Sequence, residues 1–312
     1  MTLTVGIAGI TGKFGRVLTS SLLKYPEVKI KGYCRTPSKV PTSFSSSPRI
    51  SLAQGEAFDI KSLHAFAKGC DVVVCCYLGD DKIMTDGQKA LIDACDEEGV
   101  SRYVASDWSL DYDKIPFGAL FPKDPMKHVK AYLENKKTTK GVHILVGGFM
   151  EAIFSPLLGI FNPMENKFMY WGTGDEIFEG STYLNSAQYT AAVCVDREAT
   201  GVQRLVGGRA STKEIAVSFE KVYGIKPIIE CLGSLEELYV KMHQQREKEP
   251  QNLYSYMFLF YYYYMANGST LVGPKLDNDK YADVKPMNWE DFMRNTPLEH
   301  LPGSIAAVGR NL

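Results

Sequence analysis

No apolar run in these 312 residues approaches the ~20 that a helix needs to cross a bilayer. The most lipid-like stretch, Met257 to Ala266, has about half that length and carries four consecutive tyrosines, so no membrane span is expected. Charge of one sign is also missing. With 35 Lys and Arg against 36 Asp and Glu, the net charge is -1, and the basic field that supplies most nucleic-acid affinity is absent. The seven cysteines (34, 70, 75, 76, 95, 194 and 231) include no CxxC pair, and most lie in apolar runs where a thiol acts as a small hydrophobe. No His, Cys, Asp or Glu cluster has metal-ligand spacing, so no metal is expected. The first residues run straight into a strand pattern without a basic flank, so no secretory signal is expected. Together these point to a reduced, cytoplasmic setting. What is present, 45% hydrophobic against 23% charged residues, suits a globular chain with ample core.

In the first half, short β-branched runs alternate with helix-periodic segments, the pattern of a parallel sheet covered on both faces. The expected strands are Leu3–Ala8, Ile30–Cys34, Ile50–Ala53, Val72–Cys76, Tyr103–Ala105 and His143–Val146. Between them lie expected helices Gly12–Leu23, Lys61–Lys68, Ile83–Glu98 and Pro125–Lys137, while the Ser- and Pro-rich stretch Thr36–Pro48 reads as a loop. The expected fold class is α/β, a Rossmann doubly wound sheet over residues 1–150. Residues 151–312 are expected mainly to form a smaller substrate-binding domain over the carboxyl ends of the strands. From that half, a helix-like run Ser186–Val195 and a strand Val202–Val206 are expected to rejoin the first domain. Residues 254–264 hold eight Tyr or Phe in 11 positions, which suits either a buried helix or a pocket wall.

Directly after the first strand stands Gly9-Ile10-Thr11-Gly12-Lys13-Phe14-Gly15, opening the first helix. Small residues at 9, 12 and 15 let the backbone turn tightly and let a pyrophosphate approach the free N–H groups of that helix. Strand before and helix after are what the dinucleotide fingerprint demands. Arg35 follows the second strand at 20 residues beyond Gly15, where a ribose-reading residue belongs. A guanidinium there matches a 2′-phosphate, which makes NADPH the expected cofactor rather than NADH.

In an open α/β sheet, ligands lie beyond the carboxyl ends of the strands. That singles out Cys76–Gly79, then Ser106, Asp107 and Trp108, then Gly147, Gly148, Phe149 and Met150. On the helix from Pro125, Met126, Val129 and Leu133 form one apolar stripe, and Lys130 falls about 40° from Met126 along its edge. An amine at an inward edge either snorkels outward or finds a functional partner. His128 points to a solvated face, and His143, inside a strand, reads as core.

These motifs, with Arg102 to Trp108, Lys130 followed by Gly141-Val142, Gly148-Phe149, Leu276 to Asn278 and Trp289 to Phe292, resemble the NmrA-like and isoflavone-reductase-like atypical short-chain dehydrogenase/reductase family, its fungal members above all. The resemblance spans nearly the whole chain. It implies a cofactor lying across Gly9, Thr11, Gly12, Lys13, Phe14 and Gly15, bordered by Cys76, Gly148 and Phe149, with Arg35 and Lys39 on the 2′-phosphate. It also implies that Lys130 faces nicotinamide and substrate and supplies or relays a proton. The familiar Tyr-xxx-Lys pair is absent, because Met126 stands four before Lys130. Ser106 and Asp107 would orient the substrate or supply a second donor. Trp108, Phe149, Met150, Phe154 and Trp171 would wall an aromatic or terpenoid-alkaloid-sized small molecule.

The expected function is NADPH-dependent reduction of a C=C, C=O or C=N bond in an aromatic or secondary-metabolite substrate. Two alternatives stand beside it: a redox-sensing regulator that binds NADP(H) without catalysis, and a cofactor-retaining enzyme of non-redox condensation or cyclisation.

Overall fold

The computed structural model describes residues 2–310. Its first half is built from β1 (Leu3–Ala8), α1 (Lys13–Leu22), β2 (Val28–Cys34), α2 (Thr42–Ser45), β3 (Ile50–Gln54), α3 (Ile60–Ala67), β4 (Val72–Cys75), α4 (Gln88–Glu97), β5 (Arg102–Val104), α5 (Asp124–Glu134) and β6 (Lys140–Leu145). Every residue of β4 and β5 is buried, which is what a central strand covered by helices on both faces requires. On α1, Phe14, Val17, Leu18 and Leu22 are all buried. The strand boundaries agree with the hydrophobic pattern to within two or three residues. Two details differ. The helix expected from Ile83 begins with a π-helical segment, Ile83–Gly87, before α4. The stretch Thr36–Pro48 is not bare loop, since it holds a 3₁₀ turn, Pro37–Lys39, as well as α2.

The second half adds β7 (Gly148–Phe149), α6 (Met150–Ile153), β8 (Phe161–Asn162), β9 (Lys167–Tyr170), β10 (Ile177–Ser181), α7 (Tyr183–Val195), β11 (Gly201–Arg204), β12 (Gly208–Ser211), α8 (Thr212–Tyr223), β13 (Ile228–Cys231), α9 (Leu235–Lys248), α10 (Leu253–Ala266), α11 (Trp289–Arg294) and α12 (Ser304–Ala307). Capping boxes start α8 and α9: Ser211 pairs with Glu214, and Ser234 with Glu237.

Seven strands form one sheet in the order β11-β6-β5-β4-β1-β2-β3, every neighbouring pair parallel. The order reverses between β1 and β4, and at that switch point the carboxyl ends of the strands part to leave a crevice. One face of the sheet packs Val5, Ile7, Val74 and Ile144 against α1 and α7; the other packs Val73, Cys75 and Tyr103 against α3, α4 and α5. Arg102 locks α7 onto the sheet. Buried in β5, its guanidinium donates to the carbonyls of Val193, Cys194 and Asp196 at 3.0, 2.7 and 2.7 Å, satisfying the open end of α7.

Two smaller sheets, β12-β10-β7 and β13-β9-β8, lie in the second half. With α6, α8, α10 and α11 they enclose a separate aromatic core around Phe154, Phe161, Phe168, Phe219, Phe260 and Trp289. Among the described residues no helix is long and apolar enough to cross a membrane.

Candidate functional site

The turn after β1 is shaped by its glycines. Gly9 has φ +85°, and a Cβ there would sit 2.9 Å from the Cys76 carbonyl oxygen, while a Cβ on Gly15 would sit 2.5 Å from that of Gly9. The turn therefore tucks under α1 only as glycine. Gly12 caps α1 without a side-chain hydrogen bond, which leaves first-turn N–H groups of that helix open to a phosphate. These observations fit a dinucleotide's pyrophosphate. Lys13 projects from the same turn, and its Nζ donates to the Ile305 carbonyl at 2.9 Å. Arg35 and Lys39 stand exposed beyond the end of β2.

From this turn opens a cavity of about 640 Å³. Gly12, Lys13, Phe14 and Cys76 line it, together with Ser106, Asp107, Trp108, Gly148 and Phe149. Trp108 is the strained member. Its φ of +32° is rare for a bulky residue, and the surroundings hold it there: the indole Nε1 donates to Thr190 Oγ1 at 2.9 Å, and the ring lies 3.8 Å from Phe14, centroid to centroid. Ser106 Oγ donates to the Tyr77 carbonyl at 2.7 Å. Asp107 is buried, and its Oδ2 accepts from His143 Nδ1 at 2.7 Å and from the Tyr112 hydroxyl at 3.2 Å, while Oδ1 has no partner. Burial and this neighbouring carboxylate push the Tyr112 phenol far up, so it stays a donor. His143 thus does more than fill core: it orients the carboxylate behind Ser106.

The structure gives Lys130 a partner on the preceding loop. Its ammonium is ion-paired with Asp113, outside the cavity lining, because the half-exposed edge of α5 lets a long side chain reach the preceding loop. Met126, on the apolar stripe, lines the cavity instead, and so does Lys123 at the start of the same helix. His128 is exposed, its ring 5.0 Å from Phe117.

Among the expected walls, Trp108 and Phe149 line the cavity, whereas Met150, Phe154 and Trp171 do not. Those three are buried in the second core, where Phe154 meets Phe161 and Phe292 edge-on or tilted. The outer wall comes from α10: Met257, Tyr261 and Met265 recur at four-residue spacing, with Phe258 beside them, while Tyr256, Phe260 and Tyr262 point into the core. Both readings of the aromatic run are realised on two faces of one helix. Spacing at 257, 261 and 265 was the available signal.

Tyr183, the first residue of α7, carried no such signal. Its ring stacks on Phe149 at 3.8 Å with planes 16° apart, and it lines the cavity. Burial, reinforced by Glu151, pushes its phenol up to about 12. Glu151 accepts the Tyr183 backbone N–H at 2.9 Å, its other oxygen is buried without a partner, and burial raises its carboxyl to about 7.

Comparison with known proteins agrees with this geometry. Residues 9–142 match a family model described as NAD(P)H-binding. An NmrA-like family domain-containing oxidoreductase of Gibberella moniliformis is 24% identical over 250 residues, covering 75% of this chain and 82% of that protein. The structure of AtPrR2 with NADP+ and (+)pinoresinol superposes with TM-score 0.78 at 19% identity, over 95% of this chain and 99% of that one. A crystal structure of an isoflavone reductase gives TM-score 0.75 at 18% identity, over 95% and 99%. The sheet and these likenesses define a Rossmann-like α/β fold whose first half matches the NAD(P)H-binding family model. The chain is similar in sequence to an NmrA-like oxidoreductase and in fold to an isoflavone reductase, in line with the resemblance carried by its sequence motifs.

Proposed function

We propose that this protein is an NADPH-dependent reductase of an apolar, ring-bearing small molecule. One observation carries the reading: the uncapped first turn of α1 and the aromatic wall of α10 border the same cavity, so a bound dinucleotide and an apolar substrate meet there. NADPH, when bound, supplies a hydride to an electron-poor double bond. Residues of the glycine turn hold the pyrophosphate, and Arg35 with Lys39 selects the 2′-phosphate. Cys76, Gly148 and Phe149 border the nicotinamide half. Trp108 and Met126 confine the substrate, and Ser106 and Asp107 keep the strand-end turn in register.

Lys130, held by Asp113, does not serve as the proton source in this reading. Tyr183 does. Its phenol stays protonated at neutral pH, and its ring is fixed on Phe149 at the cavity wall.

Titration of the full chain with NADPH and NADH tests the cofactor, and NADPH loss with enone, quinone and imine substrates tests the reaction. NADPH is expected to bind at least about tenfold more tightly than NADH, a margin lost in Arg35→Ala. Binding without NADPH oxidation by any of these substrates supports the regulatory reading instead, and product without NADPH loss supports the non-redox one. Failure to bind either dinucleotide sinks all three.

A further inference from the structure

Three lysines occur within eight residues of α5 and its start, and two are spent. Lys127 Nζ donates to the carbonyls of Ile115 and Pro116 at 2.6 and 3.1 Å and pairs with Asp124 at 3.2 Å, while Lys130 pairs with Asp113. Lys123 has neither. It is 8% exposed and lines the cavity, and its ammonium stands over the face of Tyr261, 5.2 Å from the ring centroid. A ring face compensates an ammonium only in part, so a cation lining a largely apolar cavity favours whatever brings it a carboxylate.

The other polar groups on the lining leave that place open. Lys13 donates to Ile305, Ser106 to Tyr77, and Asp107 accepts from His143 and Tyr112. The same lining carries Met126, Met257, Phe258, Tyr261 and Met265, of which Tyr261 meets Lys123. Thioethers and rings at this density suit a flat, polarisable ligand and adapt to its outline. One ammonium balances one negative charge. A phosphate monoester, carrying nearly two, would stay under-compensated in this apolar setting.

We propose that the substrate is an aromatic monocarboxylate whose acid group seats on Lys123 while its ring lies against the α10 wall. This rests on the reductase reading for the reaction, but not for the binding. Lys123 is then a specificity-determining residue: it selects the acid over the matching amide, ester or alcohol.

The experiment uses the full chain with saturating NADP+, titrated calorimetrically with 2-naphthoate and with its neutral isostere 2-naphthamide. Naphthoate is expected to bind about tenfold or more tightly than naphthamide, the margin of a charge-assisted contact. Lys123→Met brings naphthoate down to the naphthamide level and leaves naphthamide and NADP+ binding unchanged, which also reports that the variant is folded. Lys123→Arg, a second variant that keeps the charge, retains the preference. Equal affinity for the two probes in the parent chain overturns the proposal. So does a preference that survives Lys123→Met, or the absence of heat from naphthoate at millimolar concentration. If NADP+ fails to bind while naphthoate still discriminates through Lys123, the reductase reading falls and the acid site stands.

Discussion

Asp107 and His143 are joined by a buried hydrogen bond of 2.7 Å between Oδ2 and Nδ1, one partner on the cavity wall and the other inside β6. The pair links the turn after β5 to the neighbouring strand at the mouth of the site. Removing the imidazole leaves a buried carboxylate with Tyr112 as its remaining side-chain partner. His143→Ala is expected to cost about 3 kcal/mol, measured as a shift in the urea midpoint at constant slope. A loss near that of an ordinary surface change would show that the pair does not support the turn.

Glu151 gives the chain a pH signature. Its carboxyl is raised from 4.5 to about 7 in the folded protein, so the folded state favours the protonated form. The stabilisation is complete below the unfolded value and is lost as pH rises through about 7. Between these limits Glu151 is expected to remove on the order of 3 kcal/mol. Glu151→Gln should flatten this part of the stability profile, read as the difference between parent and variant melts at pH 4.5 and 7.5. Parallel profiles would refute it.

Gly15 is fixed by close approach rather than by a turn of its own. A methyl group there meets the Gly9 carbonyl at 2.5 Å, and relief requires the turn and the start of α1 to separate. Gly15→Ala is expected to weaken NADPH binding about tenfold or more by fluorescence titration, on the order of 1.4 kcal/mol. Unchanged affinity would mean that the turn does not hold the pyrophosphate.

Lys130 and Tyr183 make opposite predictions about turnover. The Lys130–Asp113 pair is solvent-accessible, so Lys130→Ala should leave kcat within about twofold and stability within about 1 kcal/mol. Tyr183→Phe should lower kcat by about 10² or more with NADPH affinity unchanged. Should Lys130→Ala abolish turnover and Tyr183→Phe spare it, the proton assignment is reversed.

Sequence alone determined the part of this protein that local pattern controls. A strand, three glycines at three-residue spacing and an amphipathic helix specify the glycine turn, because tight backbone approach admits no other residue at Gly9 and Gly15. Alternating apolar runs and helices specify a parallel sheet, because a strand buried on both faces has no polar side to show. The cavity's chemistry was decided by tertiary structure. Lys123, Lys127 and Lys130 share one helix or its start, and their sequence positions do not reveal that Asp124 and Asp113 claim two of them. Helical periodicity gives the direction of a side chain's first bonds, while a lysine's ammonium sits several bonds further out and goes where a partner stands. Tyr183 meets Phe149 only because β7 and β10 pair side by side, bringing together residues more than thirty positions apart.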